Sequence, residues 1–526
     1  MSSLSVSLSL FSLPLFWVVL SWVARNDVVN RHPSVLQKSA IAGTLLLFLL
    51  LPLLSVVYQP EAAGQLLLKL TPVSAVIISL VVFIGITLIR FSRNYMAGER
   101  CYPVFFRWMK LVLAAVVMTL MANHLFIFWL GWVAISLSLH RLLLLYPERP
   151  RAVLAAHKKF ILARCSEVLM LVAFTLLYEI YDTAYIDALM QSVSTVSLSQ
   201  QQDALAGVAA VLIAIAALLK CAQLPFHGWL INVVESPTPV SALLHAGIIN
   251  LGGYLLLVFS PLLAVHATAQ WVVLIGAGMS VLCAGLIMTT RVSIKVRLAW
   301  STSSQMGLML IECALGLYSL AMLHLVTHSL YKAHAFLNSG DTVYAYLGSQ
   351  IAGRHQHPAA VHWLGALLVS SLIVATCVWL AAPSTLAAPW VLLWLALTSL
   401  LVLRSPGGAL SHYALFVALA LVLTGSYALG KDMFSLLLYQ AIPGQVLPFS
   451  AMDIWISSVF FTLFIVSWIL HLYAGAPAIR RVRQALFAGL YLDEWFTRAT
   501  LRLWPVTLRR PSSAAPNATV TNLRSH

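Results

Sequence analysis

Charge is scarce in this 526-residue chain: Asp, Glu, Lys and Arg make up 9% of it, against roughly a quarter in soluble globular domains. With 61% hydrophobic residues and a mean hydropathy of +0.92, that scarcity excludes a soluble fold and indicates a polytopic membrane protein. Paired cysteines are missing as well. Cys101, Cys165, Cys221, Cys283, Cys313 and Cys377 stand singly, with no C-x-x-C and no disulfide framework, and each reads as a small buried hydrophobe. There is no G-x-G-x-x-G and no Walker A stretch, so no nucleotide-phosphate loop is indicated. The first apolar run, Leu8 to Leu20, lacks a basic leader and an A-x-A cleavage site, and reads as a retained span rather than a signal peptide.

What is present is a long succession of apolar runs. About fifteen are long enough to cross a bilayer at roughly 20 residues each. Their approximate bounds are 5–24, 38–58, 70–92, 109–122, 124–146, 159–180, 205–225, 240–264, 270–290, 297–317, 319–345, 360–381, 387–403, 411–428 and 453–473. The formal net charge of +15 does not point to nucleic acid, because the basic residues sit in the short connections. With the N-terminus outside, one set of connections collects Arg25, Arg31, Lys38, Arg90, Arg93, Arg100, Arg107, Lys110, Arg141, Arg149, Arg151, Lys158, Lys159, Arg164, Arg291, Lys295, Arg297, Arg354, Arg404, Arg480, Arg481 and Arg483. The other set holds Asp182, Asp187 and Asp203. By the positive-inside rule this predicts an odd span number, the N-terminus outside and the C-terminus in the cytoplasm. The longest outer loops fall at 181–204 and 429–452.

The fold expected is therefore an all-α polytopic bundle of about fifteen membrane helices with two broken-helix units. The expected organisation is 1–110, N-terminal helices; 111–264, a first half-channel unit; 265–428, a second; 429–474, an outer loop and the final span; and 475–526, a cytoplasmic tail. In that tail RRVRQALFAGLYLDEWFTRATLRLWP alternates basic and apolar residues at helical spacing, as an interfacial or partner-docking helix does. Residues 512–526 read as disordered, and the Asn517-Ala-Thr sequon there reads as chance.

The chemistry concentrates between Val211 and Leu257, VLIAIAALLKCAQLPFHGWLINVVESPTPVSALLHAGIINLGGYLLL. Lys220 ends one apolar run, Pro225 breaks it, Pro237 and Pro239 break the chain again, and His245 and Asn250 lie in the next run. A lysine at bilayer depth costs about 2.5–3.5 kcal/mol on insertion scales, and broken helices survive there only where protein or water satisfies the freed backbone. Burial disfavours an ammonium and a nearby carboxylate favours it, so a lysine under both influences exchanges a proton near neutral pH. The alternative is a lysine that snorkels to the surface. Arg164 and Glu167 share a helix face at i,i+3, either as an ion pair that holds helices together or as the carboxylate that loads Lys220. His245 is a proton relay or a core histidine bonded to the broken backbone. In LHLVTHSLYKAHAFLNSGDTV, His324, His328 and Lys332 form one stripe at i, i+4 and i+8, while His334 lies on another face. No third ligand accompanies the histidines and no H-E-x-x-H is present, so a proton wire ending in a lysine is preferred to a zinc site.

The string KCAQLPFHGWL…ESPTPVSALLHAGI resembles the antiporter-like subunits of respiratory complex I and the Mrp antiporters, with a pattern close to K-x-A-Q-x-P…E-x-P-T-P-V-S-A-L-x-H-A. The likeness covers about residues 70–345 and includes the histidine-rich helix that links two half-channels in that family. It implies proton conduction through Lys220, with an acid at Glu167 and a lysine at Lys295, the last equally readable as an ordinary loop residue. One departure stands out. The family's fifth span usually carries a glutamate after Gly-Trp, facing the buried lysine, and here Val133 takes that place in FWLGWVAISLSLHRLLL. Only Arg404, Lys431 and His412 are available in the late spans, so the far end of the route is unassigned. The short form, HRLLLLYPERPRAVLAAHKKFILARCSE and the ending GLYLDEWFTRATLRLWP are similar to the DabB branch, the membrane subunits of bacterial DAB inorganic carbon systems. That resemblance implies a cation-conducting subunit, the cation read as the proton with Na+ as the alternative. It sits in the bacterial inner membrane, without cofactor or nucleic acid. It also implies a DabA-like, zinc-containing, carbonic-anhydrase-like partner that hydrates CO2. The competing classes are a proton-pumping subunit of a complex I-like or hydrogenase complex, an Mrp-type cation/proton antiporter subunit, and a structural scaffold.

Overall fold

The computed structural model describes residues 10–23, 38, 41–45, 66–341, 347, 360–380, 387–402, 410–438, 450–473 and 475–505. Most of the run 38–58, Arg25, Arg31, Arg354, Arg404, the side chain of His412 and the tail beyond 505 lie outside the described residues. The described secondary structure is helical apart from two isolated bridges, Leu68–Ala122 and His124–Tyr185.

Twenty helices follow in order: α1 Ser12–Val23, α2 Pro72–Tyr95, α3 Tyr102–Met121, α4 Leu125–Leu143, α5 Pro150–Tyr181, α6 Ile186–Thr195, α7 Gln200–Lys220, α8 Gly228–Asn232, α9 Thr238–Ala246 and α10 Leu251–Val258. Then come α11 Ser260–Val265, α12 Ala267–Met288, α13 Ile294–Ala314, α14 Tyr318–Leu337, α15 Ala360–Leu380, α16 Ala388–Val402, α17 Leu410–Leu438, α18 Ala451–Leu472, α19 Pro477–Phe487 and α20 Glu494–Leu503. The starts are written in the sequence. Thr71 and Ser74 form a capping box before Pro72, and Ser199 and Gln202 form another at α7. Pro237 and Pro239 open α9, where a missing N–H costs nothing.

Among the described residues ten segments are long and apolar enough to cross a membrane, α9 and α10 together counting as one. Helices α13 and α14 match this length but carry Lys295, Arg297 and Glu312, and His324, His328 and Lys332 respectively. The segment 238–258 is 94% buried against 72% or less for the other nine, so the broken helix is the centre of the bundle. Helix α7 packs on α5, α10 and α12, while α9 packs on α14 and α2. Lys158–Asp493 (2.6 Å) and Arg291–Leu486 O (3.5 Å) gather the start of α5, the α12–α13 turn and the C-terminal helices at one end, here the basic end. At the opposite end Asp187 accepts from Lys69 at 2.8 Å and Asn123 at 3.0 Å.

Several expectations are corrected. Helix α5 starts at Pro150, nine residues before the hydropathy run, and α3 starts at Tyr102. Lys110, Lys158 and Lys159 are therefore not loop residues but buried helical ones, and Arg164 is partly buried one turn further in. The reason is local: a proline at the first helical position and a following apolar stretch nucleate the helix before the charges are reached. Loop 181–204 contains α6, and α17 continues through residue 438 where a loop was expected from 429.

Candidate ion-conducting site

The site is built around two interruptions of helix. At the first, α7 stops at Lys220 and Ala222 takes a left-handed φ of 50°. The backbone groups freed there find partners inside the protein. Gln223 Nε2 donates to Cys221 O (2.8 Å) and Ser303 O (3.1 Å), Ser303 Oγ donates to Ala222 O (3.0 Å), and Leu224 N donates to Ser280 Oγ (2.9 Å). At the second, between α9 and α10, Asn250 Nδ2 donates to Ala246 O (3.1 Å) and to Ser329 Oγ on α14 (2.6 Å). Gly252 lets these two broken segments touch, since a Cβ there would lie 2.8 Å from Ala217 O.

Lys220 is half-buried, and its ammonium lies 4.3 Å from the centre of the Trp132 ring. It shares a cavity of about 30 Å³, room for one or two waters, with Trp132, Ser136, Lys159, Ser166 and Trp229. Lys159 reaches the same cavity from α5, with Nζ donating to Ser136 O (2.6 Å) and Ser136 Oγ (3.3 Å). Two lysines thus face one cavity. The carboxylate of Glu167 is held by Arg164 at 2.7 Å, Arg164 also donates to Ser136 Oγ at 2.8 Å, and Trp129 Nε1 donates to Glu167 O at 2.9 Å. Among the described residues Glu167 forms no ion pair with Lys220. Val133 is apolar, and the Trp132 ring next to it in sequence supplies the contact to the ammonium. A desolvated cation–π contact contributes about 2 kcal/mol, where a buried unpaired ammonium carries a penalty of several.

The second group lies along α14 and its neighbours. Lys332 is fully buried, with Nζ donating to Ser301 Oγ (2.9 Å) and Leu298 O (3.2 Å) on α13. One turn back, His328 is 5% exposed and neither ring nitrogen has a partner among the described residues. Another turn back, His324 Nδ1 lies 3.0 Å from Glu312 Oε2. His245 stacks on Phe336 at 4.4 Å and shares a hydrogen bond with Thr302 Oγ1 at 3.1 Å, within electrostatic range of Lys332. His334 is exposed, away from the stripe. Lys295 Nζ donates to Thr238 Oγ1 (2.8 Å), which also bonds Tyr95 (3.2 Å), at the start of α9. The candidate groups thus fall into two clusters, one around Lys220 and one around Lys332. The break at residues 247–250 lies between two cavities. Ile248 and Ile249 line the first, while Gly247, Asn250 and Ser329 line a second of about 10 Å³, room for one water.

Lys159 and Glu312 were not singled out from sequence. For Lys159 a signal existed: Pro150 followed by AVLAA places it well inside a helix. For Glu312 there was little, since its partner His324 lies twelve residues away across a turn. Among the described residues no three His, Cys, Asp or Glu side chains gather as a metal site.

Residues 122–442 match the sequence profile of the membrane domain of the NADH:quinone oxidoreductase/Mrp antiporter family. A protein of Hydrogenovibrio crunogenus named as a probable inorganic carbon transporter subunit DabB is 46% identical over 439 residues, 83% of this chain and 83% of its own. One from Halothiobacillus neapolitanus, named probable inorganic carbon transporter subunit DabB2, is 35% identical over 471 residues, 86% of this chain and 83% of its own. Among solved structures, the Mrp complex from Dietzia sp. superposes with a TM-score of 0.56 at 19% identity. That match covers 96% of this chain and 60% of the Mrp chain, and it establishes the shared fold.

Proposed function

Because the chain belongs to the DabB-type inorganic carbon transporter subunits of the NADH:quinone oxidoreductase/Mrp antiporter family, we propose that it conducts protons to drive one-way CO2 hydration by a partner. An ion-conducting membrane subunit is common to the whole family; the proton, the direction and the coupling are our reading. In this account protons enter from outside, pass the Lys332–His328 cluster and the Lys159–Lys220 cavity, and reach the cytoplasmic, basic end. The partner is a DabA-like protein with a carbonic-anhydrase-like zinc site, and it supplies the CO2 chemistry. Hydration releases a proton, and one charge moving through the membrane potential is worth about 2.3 kcal/mol per 100 mV, enough to bias the product toward trapped bicarbonate.

The observation that carries this reading is the pair Lys159 and Lys220 facing one water-sized cavity beside a broken helix. Two ammonium groups in one low-dielectric cavity disfavour each other's charge, so a proton is readily passed on. A structural role would be served better by apolar side chains.

The test is growth in ambient air of a carbonic-anhydrase-deficient bacterium that carries this gene with a DabA-type partner gene. Wild type is expected to rescue growth, and Lys220→Ala, present in the membrane at equal amount, is expected to fail. Rescue by both would make Lys220 structural. Failure of well-expressed wild type would favour an Mrp-type antiporter or a redox-complex subunit, separable by a sodium-tolerance assay.

A further inference from the structure

We propose that Glu312 and His324 form the proton-exchange port at the end of the molecule opposite the basic end. The inference rests on the proton-conducting reading above and assigns the far end of the route, which the sequence left unassigned.

Helix α13 runs from the α12–α13 turn at the basic end to the far end, and Glu312 stands two residues from its finish. His324 stands six residues beyond the start of α14, across the turn. Their side chains are 7% and 11% exposed and meet at 3.0 Å. A carboxylate at such depth is retained where an ion passes, because an isolated charge there is costly and an apolar pair would hold two helices as well. The second, independent sign is His328. Its ring lies 6.0 Å from that of His324, it is 95% buried, and neither nitrogen has a partner among the described residues, a costly state unless the group accepts and releases protons through water. Around Glu312, the other titratable neighbours are Cys313 beside it and Tyr427 from α17, within electrostatic range. Among the described residues no lysine or arginine pairs with the carboxylate, so Glu312 is not locked in an ion pair as Glu167 is with Arg164.

The transfer balances as follows. A proton taken up by the Glu312 carboxylate moves along the 3.0 Å bond to His324 Nδ1. His324 Nε2 releases its own proton toward His328, leaving a neutral imidazole in the other tautomer and a carboxylate ready to reload. Four residues further, about 6 Å along the helix, the proton reaches Lys332.

The test uses the full chain with its DabA-type partner in proteoliposomes, reading proton influx under an imposed potential with a trapped pH dye. Glu312→Gln keeps an amide that can hydrogen-bond His324 Nδ1 but cannot exchange a proton. It is expected to lower the flux about 100-fold, the scale of a lost acid–base group. Glu312→Asp, which retains the exchangeable carboxyl, is expected to recover part of it. Wild-type flux in Glu312→Gln would overturn the port while leaving the conducting reading intact. Absence of flux in wild type would overturn the conducting reading and the port with it. If the Gln variant does not fold, Asp decides alone: a several-fold reduction supports the port, and unchanged flux refutes it.

Discussion

The ammonium of Lys220 lies over an aromatic face, that of Trp132, rather than against a carboxylate. The difference is physical, since a ring attracts a cation by up to about 2 kcal/mol yet cannot take its proton. The Trp132 contact therefore steadies the charged lysine without trapping it in an ion pair. Trp132→Leu is expected to weaken that support and slow proton flux about tenfold, with Trp132→Phe intermediate, both read in proteoliposomes. Equal flux in all three would assign the ring to packing alone. At this scale the sequence was partly legible. That an apolar Val133 follows Gly131-Trp132 in α4 could be read from the string. That Trp132 would take up the contact could not, since it depends on where α7 stops relative to α4. Glu167 illustrates the same limit: its i,i+3 partner Arg164 is local and was visible, whereas its distance from Lys220 depends on how two helices cross.

Helices were the most legible level. Apolar runs gave fourteen of the described segments within a few residues at most ends, because in a bilayer the backbone must be satisfied within the segment. Misreadings occurred where charge entered a helix, at Lys110, Lys158 and Lys159, since hydropathy counts a lysine as a boundary wherever it occurs. The C-terminal helices show what such a charge does. Lys158, fully buried, donates to Asp493 and Thr497 at 2.6 Å each, and Gly228 leaves the room that the Asp493 carboxylate fills. Trp504 stacks on His157 at 3.8 Å, and Trp495 and Phe496 pack against Phe226. The amphipathic tail thus docks on its own chain beside the Lys220 break. Asp493→Asn is expected to leave Lys158 as an uncompensated buried charge, a penalty of roughly 3 kcal/mol, and to expose residues 477–503 to protease. Resistance to proteolysis equal to wild type would show that the apolar contacts alone hold the tail.

For the whole molecule, the argument is one of placement. Charged groups are rare in this chain, and among the described residues Lys159 and Lys220 share a cavity beside the first helix break, while Lys110 and Asp453 are buried elsewhere, bonded to Leu20 O and to the amides of Ala387 and Ala388. The central segment is the most buried and the most irregular, a combination a membrane tolerates only where polar side chains or water complete the backbone. Sequence revealed that centre through its prolines, Lys220, His245 and Asn250. It did not reveal the second lysine in the cavity or the carboxylate at the far end, both of which are tertiary facts.

The central claim is that protons cross through these buried groups. Its most direct measurement is proton influx into proteoliposomes holding the full complex, driven by a potassium diffusion potential, for wild type and Lys332→Ala. Lys332 is fully buried, and its ammonium donates two hydrogen bonds, both to α13. The account predicts influx well above that of empty vesicles for wild type and a fall of about 100-fold or more for Lys332→Ala, with the melting temperature of the complex close to wild type. Influx in a well-folded Lys332→Ala equal to wild type would contradict it.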